Sequence, residues 1–395
     1  MSLIPKYPLF LPLLMVPFFA LAPGLVFLPG VLAGIALAWM AGRILESWGK
    51  SRLWGLIILL DPTVALLSRT VMSDVPLALF GLCTWYHLRR GAGWQTTLFA
   101  ALAVIIRVNG VVTVGALLAG QSLVLLRDRR RPMAVLRAMT PLLLGMSIGG
   151  AVLIGLNLLA NGTVHSGYNE SASQAFGLRF LATSGRAHLK SLLLCPPLLV
   201  LGAWPYWRRR DFAALFASLA SILMMIVYFF VDWGVGFIDT LVLSRRLILP
   251  SVVFLLVGYA DILAQVFRGF RWVRVGQAAA VVLPALLALA LGHKHRQWQM
   301  PAHRALVRAE MRAKRIDSDE LGVTPSAFKI GLLFPGRTVF VARDRGQPKL
   351  VLCHSAEGSY RMRGVSYSCA LPGYRVAEAM AEDDYYLLER TGAPN

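Results

Sequence analysis

Asp74, Arg107, Arg245 and Arg246 lie in short polar links between apolar runs, where a charge is costly unless it is wet, paired or used. A carboxylate there can orient or activate a polar acceptor. A guanidinium offers a planar fork that suits a phosphate. Arg69-Thr-Val-Met-Ser-Asp-Val-Pro76 is the densest of these links, with Arg69 five residues before Asp74. Arg107-Val-Asn-Gly110 is a tight turn that adds Asn109, and Arg245-Arg246 precedes an apolar run. The longest link, 160–187, holds His165, Tyr168, Asn169 and Glu170, donors and acceptors that suit sugar hydroxyls. Each feature also has a plain structural reading. Ser73 or Asp74 ahead of Pro76 makes a good helix start. Arg107 can snorkel to headgroups, Arg245 and Arg246 can pair with Asp232 or Asp239, and 160–187 can be a solvated connector.

The elements that must position these groups are read from the apolar runs. The chain has 395 residues, of which 57% are hydrophobic and 15% charged. A soluble domain has about 45–50% apolar and about 25% charged residues. Runs of spanning length at 24–42, 53–68, 75–88, 94–106, 110–126, 137–159, 189–206, 213–231, 247–266 and 275–292 predict a polytopic α-helical membrane protein of about ten spans. The proline-rich stretch 7–23 is too interrupted for a regular span and reads as surface-lying or re-entrant.

The net charge of +20 is topogenic, so no nucleic-acid partner is expected. Basic links at 43–52, 89–90, 127–137, 208–210 and 268–274 fall on alternate connections and belong to the cytoplasm. The links at 69–74, 107–110, 160–187 and 232–246 then all fall outside. The chain divides into a transmembrane domain (1–293), a basic amphipathic linker (294–327) and a small extracytoplasmic α/β domain (328–395) with strand-like runs at 338–342, 349–353 and 385–388. In that compartment Cys353 and Cys369 are disulfide candidates. Asp61 and Asp261 are the notable charges inside the apolar runs. No metal-ligand spacing and no nucleotide-binding loop is present; Asp317-Ser-Asp319 lies in the tail, so a donor substrate should be lipid-linked.

Pro62-(x)6-Arg69-(x)4-Asp74-x-Pro76 resembles a segment of the GT-C-type integral-membrane glycosyltransferases, nearest the bacterial protein O-mannosyltransferase and lipid A aminoarabinose transferase branch. Arg107-Val-Asn-Gly110 is similar to their R-P-N-G turn, Arg245-Arg-Leu-Ile-Leu-Pro250 to a late R-Y-x-L-P segment, and Tyr7-Pro-Leu-Phe-Leu11 to their Y-P-P-x-Y. The resemblance covers about 5–270. It implies a polyprenyl-phosphate-linked sugar as donor, an inverting transfer to a lipid, glycan or protein acceptor outside the cytoplasmic (inner) membrane, and a possible role for a divalent metal. Asp74 and Glu170 become catalytic candidates. Arg69, Arg107 and Arg245 match positions that could hold the donor phosphate; Arg246, where the family has an aromatic residue, joins them as a donor-phosphate candidate on its own chemistry, and Asn109, His165, Tyr168 and Asn169 are acceptor or sugar candidates on theirs. In that family an additional first span and a first external loop carry the principal catalytic carboxylate, whereas this sequence opens at the motif following that loop. The alternatives are a non-catalytic membrane subunit and a transporter or flippase of a lipid-linked substrate, for which Asp61 and Asp261 are the charges to weigh.

Overall fold

In a bilayer every apolar run must hydrogen-bond its own backbone. The computed structural model of the chain meets this demand with helices. It describes residues 10–21, 25, 27–68, 72–128, 132–161, 177–194, 196–228, 237–267, 309, 312, 321–323, 338–340, 349–354, 373–380 and 385–391. Two compact units are present, 1–291 and 292–395.

The first unit begins with α1 (Phe10–Leu21) and α2 (Leu28–Ser47). At 1.5 Å per residue α1 extends only about 18 Å, short of the roughly 30 Å hydrocarbon core, whereas α2 reaches it. A 3-10 segment (Arg52–Leu60) and α3 (Pro62–Leu67) come next, then α4 (Asp74–Arg89), α5 (Gly93–Ile106), α6 (Gly110–Arg127) and α7 (Pro132–Asn161). After a 3-10 turn (Leu178–Phe180) and a π-helical turn (Leu181–Gly185) the chain forms α8 (Arg186–Leu194), a 3-10 segment (Leu199–Ala203), α9 (Trp204–Arg209), α10 (Phe212–Met225) and α11 (Phe237–Val266). Among the described residues, four helices are long and apolar enough to cross a membrane: Leu28–Ser47, Gly110–Arg127, Pro132–Leu159 and Arg245–Val266.

Helix α11 is the central element, packed on α2, α3, α4, α8, α9, α10 and both longer 3-10 segments. Its residues Ile248–Val257 are all buried. Ser251 Oγ accepts from Ser221 N at 3.0 Å and donates to the Ala217 carbonyl at 2.8 Å. Its hydroxyl thus sits inside the i to i−4 ladder of α10 and ties the two helices at mid-length. Helix α5 packs between α4 and α7, and α6 against α10. Exposed apolar side chains such as Leu32, Ile35 and Trp39 on α2, and Leu144, Ile148 and Ile154 on α7, form the outward faces. Lipid tails cover such faces without cost.

Three expected elements differ. The run 53–68 is not one helix but breaks at Asp61-Pro62, because Pro62 has no N–H to continue the ladder and Asp61 caps α3. The run 189–206 is likewise divided after α8: Pro196 and Pro197 interrupt it, and Leu198 adopts left-handed backbone (φ 58°). The link predicted at 232–246 is shorter than expected, since α11 already starts at Phe237. Asp239, Arg245 and Arg246 are therefore helical, in a stretch without a breaker before Pro250. The predicted span at 275–292 lies outside the described residues.

In the second unit, β1 (Leu321–Val323), β2 (Thr338–Phe340), β3 (Leu350–His354), β4 (Tyr374–Met380) and β5 (Tyr385–Arg390) form a sheet of order β2-β1-β3-β5-β4. Strand β1 runs parallel to β2 and β3, and β5 antiparallel to β3 and β4. The sheet thus takes one strand from within the stretch expected to be linker. Val351, Cys353 and Leu388 make its small core. Cys353 is disulfide-bonded; Cys369, its expected partner, lies outside the described residues.

Candidate functional site

Asp74 is the first residue of α4 and only 2% exposed. The helix-start reading does not account for its side chain. Ser73 occupies the cap position without a side-chain hydrogen bond, and the Asp74 carboxylate turns to two arginines instead. Arg107, at the end of α5, donates from one terminal nitrogen to Asp74 Oδ1. Arg246, in α11, donates from Nε to Asp74 Oδ2 at 3.1 Å. Two guanidinium groups thus converge on one carboxylate. The arginines keep 13% and 19% side-chain exposure, so the positive side of the cluster is the accessible one.

A second pair lies directly behind. Arg245 and Asp61 are both fully buried, with Arg245 Nη2 2.5 Å from Asp61 Oδ2. The contact is ionic rather than a linear hydrogen bond. Asp61 Oδ1 meanwhile accepts from Thr63 N at 2.9 Å and Val64 N at 3.1 Å, capping α3. Neighbouring residues on a helix point about 100° apart, so Arg245 and Arg246 address different carboxylates: Asp61 at the start of α3 and Asp74 at the start of α4. Arg245, expected at the donor phosphate or paired with Asp232 or Asp239, is buried and meets Asp61. Asp61-Pro62, an N-cap followed by proline at the first helical position, is a sequence signal for the start of α3 but not for its Arg245 partner.

Asn109 closes the α5–α6 link beside Arg107, and its side chain makes no capping bond. Arg69, His165, Tyr168, Asn169, Glu170 and Asp232 lie outside the described residues, as does the side chain of Asp239. Among the described residues no three His, Cys, Asp or Glu side chains gather where a metal ion could sit. Both oxygens of Asp74 face guanidinium groups, so the residues present do not fit a divalent cation at that carboxylate.

A further set of charges lies at the opposite end of α11. Asp261 is fully buried, with Arg209 at 2.9 Å, Lys50 at 4.0 Å and Gln265 donating at 2.7 Å. Asp211 caps α10 through Ala214 N, accepts from Trp85 Nε1 at 3.2 Å and pairs with Arg89 at 3.4 Å. Sixteen residues of α11 separate Arg245 from Asp261, about 24 Å along the axis. Among the described residues, Asp74, Arg107, Arg245 and Arg246, expected outside, therefore gather at one end of α11, and Lys50, Arg89 and Arg209, expected inside, at the other.

The four long apolar helices among the described residues mark an integral membrane protein. The fold is similar to that of ArnT from Cupriavidus metallidurans, seen in a crystal structure bound to undecaprenyl phosphate, with a TM-score of 0.59, 14% identity, and coverage of 99% of this chain and 89% of that one. No family model matches the chain, and no curated protein matches it either.

Proposed function

We propose that the protein is a membrane glycosyltransferase that takes a sugar from a polyprenyl-phosphate donor. The observation that carries this reading is the Asp74–Arg107–Arg246 cluster, in which two partly exposed guanidinium groups converge at one end of a GT-C-like bundle. Two guanidinium forks suit the oxygens of a phosphate. The likeness to a protein bound to undecaprenyl phosphate supports the choice of a prenyl carrier.

In this reading Arg107 and Arg246 hold the donor phosphate and stabilise it as it leaves. Asp74 holds the two arginines, and Arg245 lies too deep to meet the ligand. An acceptor hydroxyl attacks the anomeric carbon, the sugar–phosphate bond breaks, and polyprenyl phosphate departs with the electron pair. The hydroxyl proton passes to a carboxylate, for which Glu170 is the candidate because Asp74 is engaged by arginine. Arg69 is a further candidate at the phosphate, and Asn109, His165, Tyr168 and Asn169 at the sugar or acceptor. The acceptor is a lipid, glycan or protein on the outer side of the cytoplasmic membrane, with the C-terminal domain on that side.

The test is binding of undecaprenyl phosphate to the purified protein in detergent, followed by transfer from undecaprenyl-phosphate-linked sugars in proteoliposomes. Arg107→Ala and Arg246→Ala should each weaken binding tenfold or more, about 1.4 kcal/mol. Wild-type affinity in both variants would overturn the phosphate assignment. Binding without any transfer would favour the non-catalytic or transporting alternatives.

A further inference from the structure

The geometry points to Asp61 as a positioning residue of the phosphate site, acting through Arg245 on Arg246; this rests on the phosphate reading above. Asp61 has two oxygens with two duties. Oδ1 caps α3 through Thr63 N and Val64 N, and Oδ2 meets the Arg245 guanidinium. Arg245 and Arg246 are adjacent on α11, so fixing the direction of one fixes the rotation of the helix that carries the other. The order of contact is Asp61, Arg245, the α11 backbone, Arg246, Asp74 and Arg107. Asp61 and Arg245 are both fully buried, so this pair touches no ligand itself. Arg246 keeps 19% side-chain exposure, one turn before Pro250, which has no N–H to bond the Arg246 carbonyl. Its backbone is thereby less restrained by its own helix than the rest of α11, and the Asp61–Arg245 clamp sits next to that weak point.

A cap and a clamp can be separated by substitution. Asn caps a helix about as well as Asp, so Asp61→Asn keeps the first duty and removes the second. It also leaves Arg245 charged and buried, which threatens folding. The decisive protein is therefore Asp61→Asn combined with Arg245→Met, which removes both charges, keeps the cap and fills the space. Asp61→Glu serves as the conservative variant.

The experiment measures the Kd for undecaprenyl phosphate and the thermal midpoint of each variant in detergent, with Arg246→Ala and Arg107→Ala as references. The expected result is a wild-type midpoint for the neutral pair with affinity at least fivefold weaker, and affinity largely restored in Asp61→Glu. A merely structural role would lower the midpoint and leave the affinity of the folded fraction unchanged; that outcome overturns the inference. So does wild-type affinity in the neutral pair while Arg246→Ala loses binding. Undiminished affinity in both arginine references would instead overturn the phosphate reading on which the inference stands.

Discussion

At the scale of single residues, the carboxylates decide more of this molecule than its excess of arginines. Asp61, Asp74, Asp211 and Asp261 each hold at least one guanidinium group. Asp211 shows how such contributions rank. Its pair with Arg89, a side chain 42% exposed, is worth about 0–1 kcal/mol. Its cap on α10 is worth about 1 kcal/mol. Its third contact is with Trp85 Nε1, and Trp85 is fully buried, so losing the acceptor strands a donor at about 1–3 kcal/mol. Asp211→Ala should therefore cost about 2–5 kcal/mol and Asp211→Asn, which keeps an amide oxygen for the cap or the indole, about half that. Thermal unfolding followed by tryptophan fluorescence in detergent would measure both. Equal losses in the two variants would mean that the charge pair with Arg89 outweighs the neutral hydrogen bonds. In the sequence, Asp74, Arg107 and Arg246 were recognisable as charges in apolar surroundings. Their mutual pairing was not, because it joins residues 33 and 172 positions apart. Asp61 was visible only as an intramembrane charge, since nothing local says that Arg245 reaches it.

At the scale of elements, the helices follow the apolar runs, while the breaks follow proline. The runs 53–68 and 189–206 have the composition of spans, and hydropathy averaged over such a window hides one Pro62 or a Pro196-Pro197 pair. Strands β1 and β4 escaped notice for a related reason. Leu321–Val323 is too short for a periodic signal, and Tyr374–Met380 alternates apolar with charged residues only in part, with a register shift between Val376 and Glu378. Close approach between elements leaves a clearer mark. Helix α11 and the 3-10 segment 199–203 cross at Gly258 and Gly202, where a Cβ on either residue would overlap backbone carbonyl oxygen of the other element. Backbone cannot give way as a side-chain tip can, so Gly258→Ala forces the segments apart. The expected loss is about 1–3 kcal/mol. Gly115→Ala on α6 is the control, because no atom lies within 4 Å of the added methyl group. It should be neutral or stabilising by up to about 1 kcal/mol, as alanine favours helix over glycine. A matching loss in both variants would place the cause in helix propensity rather than in the crossing.

At the scale of the whole molecule, sidedness is the property that joins fold to proposed function. The alternation of basic links was legible in the sequence, and the charges it assigns to the two sides gather about 24 Å apart along α11. A transfer reaction on a prenyl-linked sugar outside the membrane requires the Asp74 end to face outward. Helix α5 offers a direct test, because exposed residues flank its two ends. Val108, half exposed, lies in the link beside Arg107, and Trp94, 70% exposed, lies at the opposite end. Cysteine placed at each position can be probed with a membrane-impermeant maleimide in intact spheroplasts, with the wild-type chain as the blank. The native thiol of Cys83 is buried, and that of Cys353 is consumed in a disulfide, so their background is low. Val108→Cys should label in intact spheroplasts and Trp94→Cys only after permeabilisation. The reverse pattern would put Arg107, and with it the phosphate cluster, on the cytoplasmic face and would exclude an external acceptor. Labelling of both positions in intact spheroplasts would mean that α5, about 21 Å long, does not separate the two compartments.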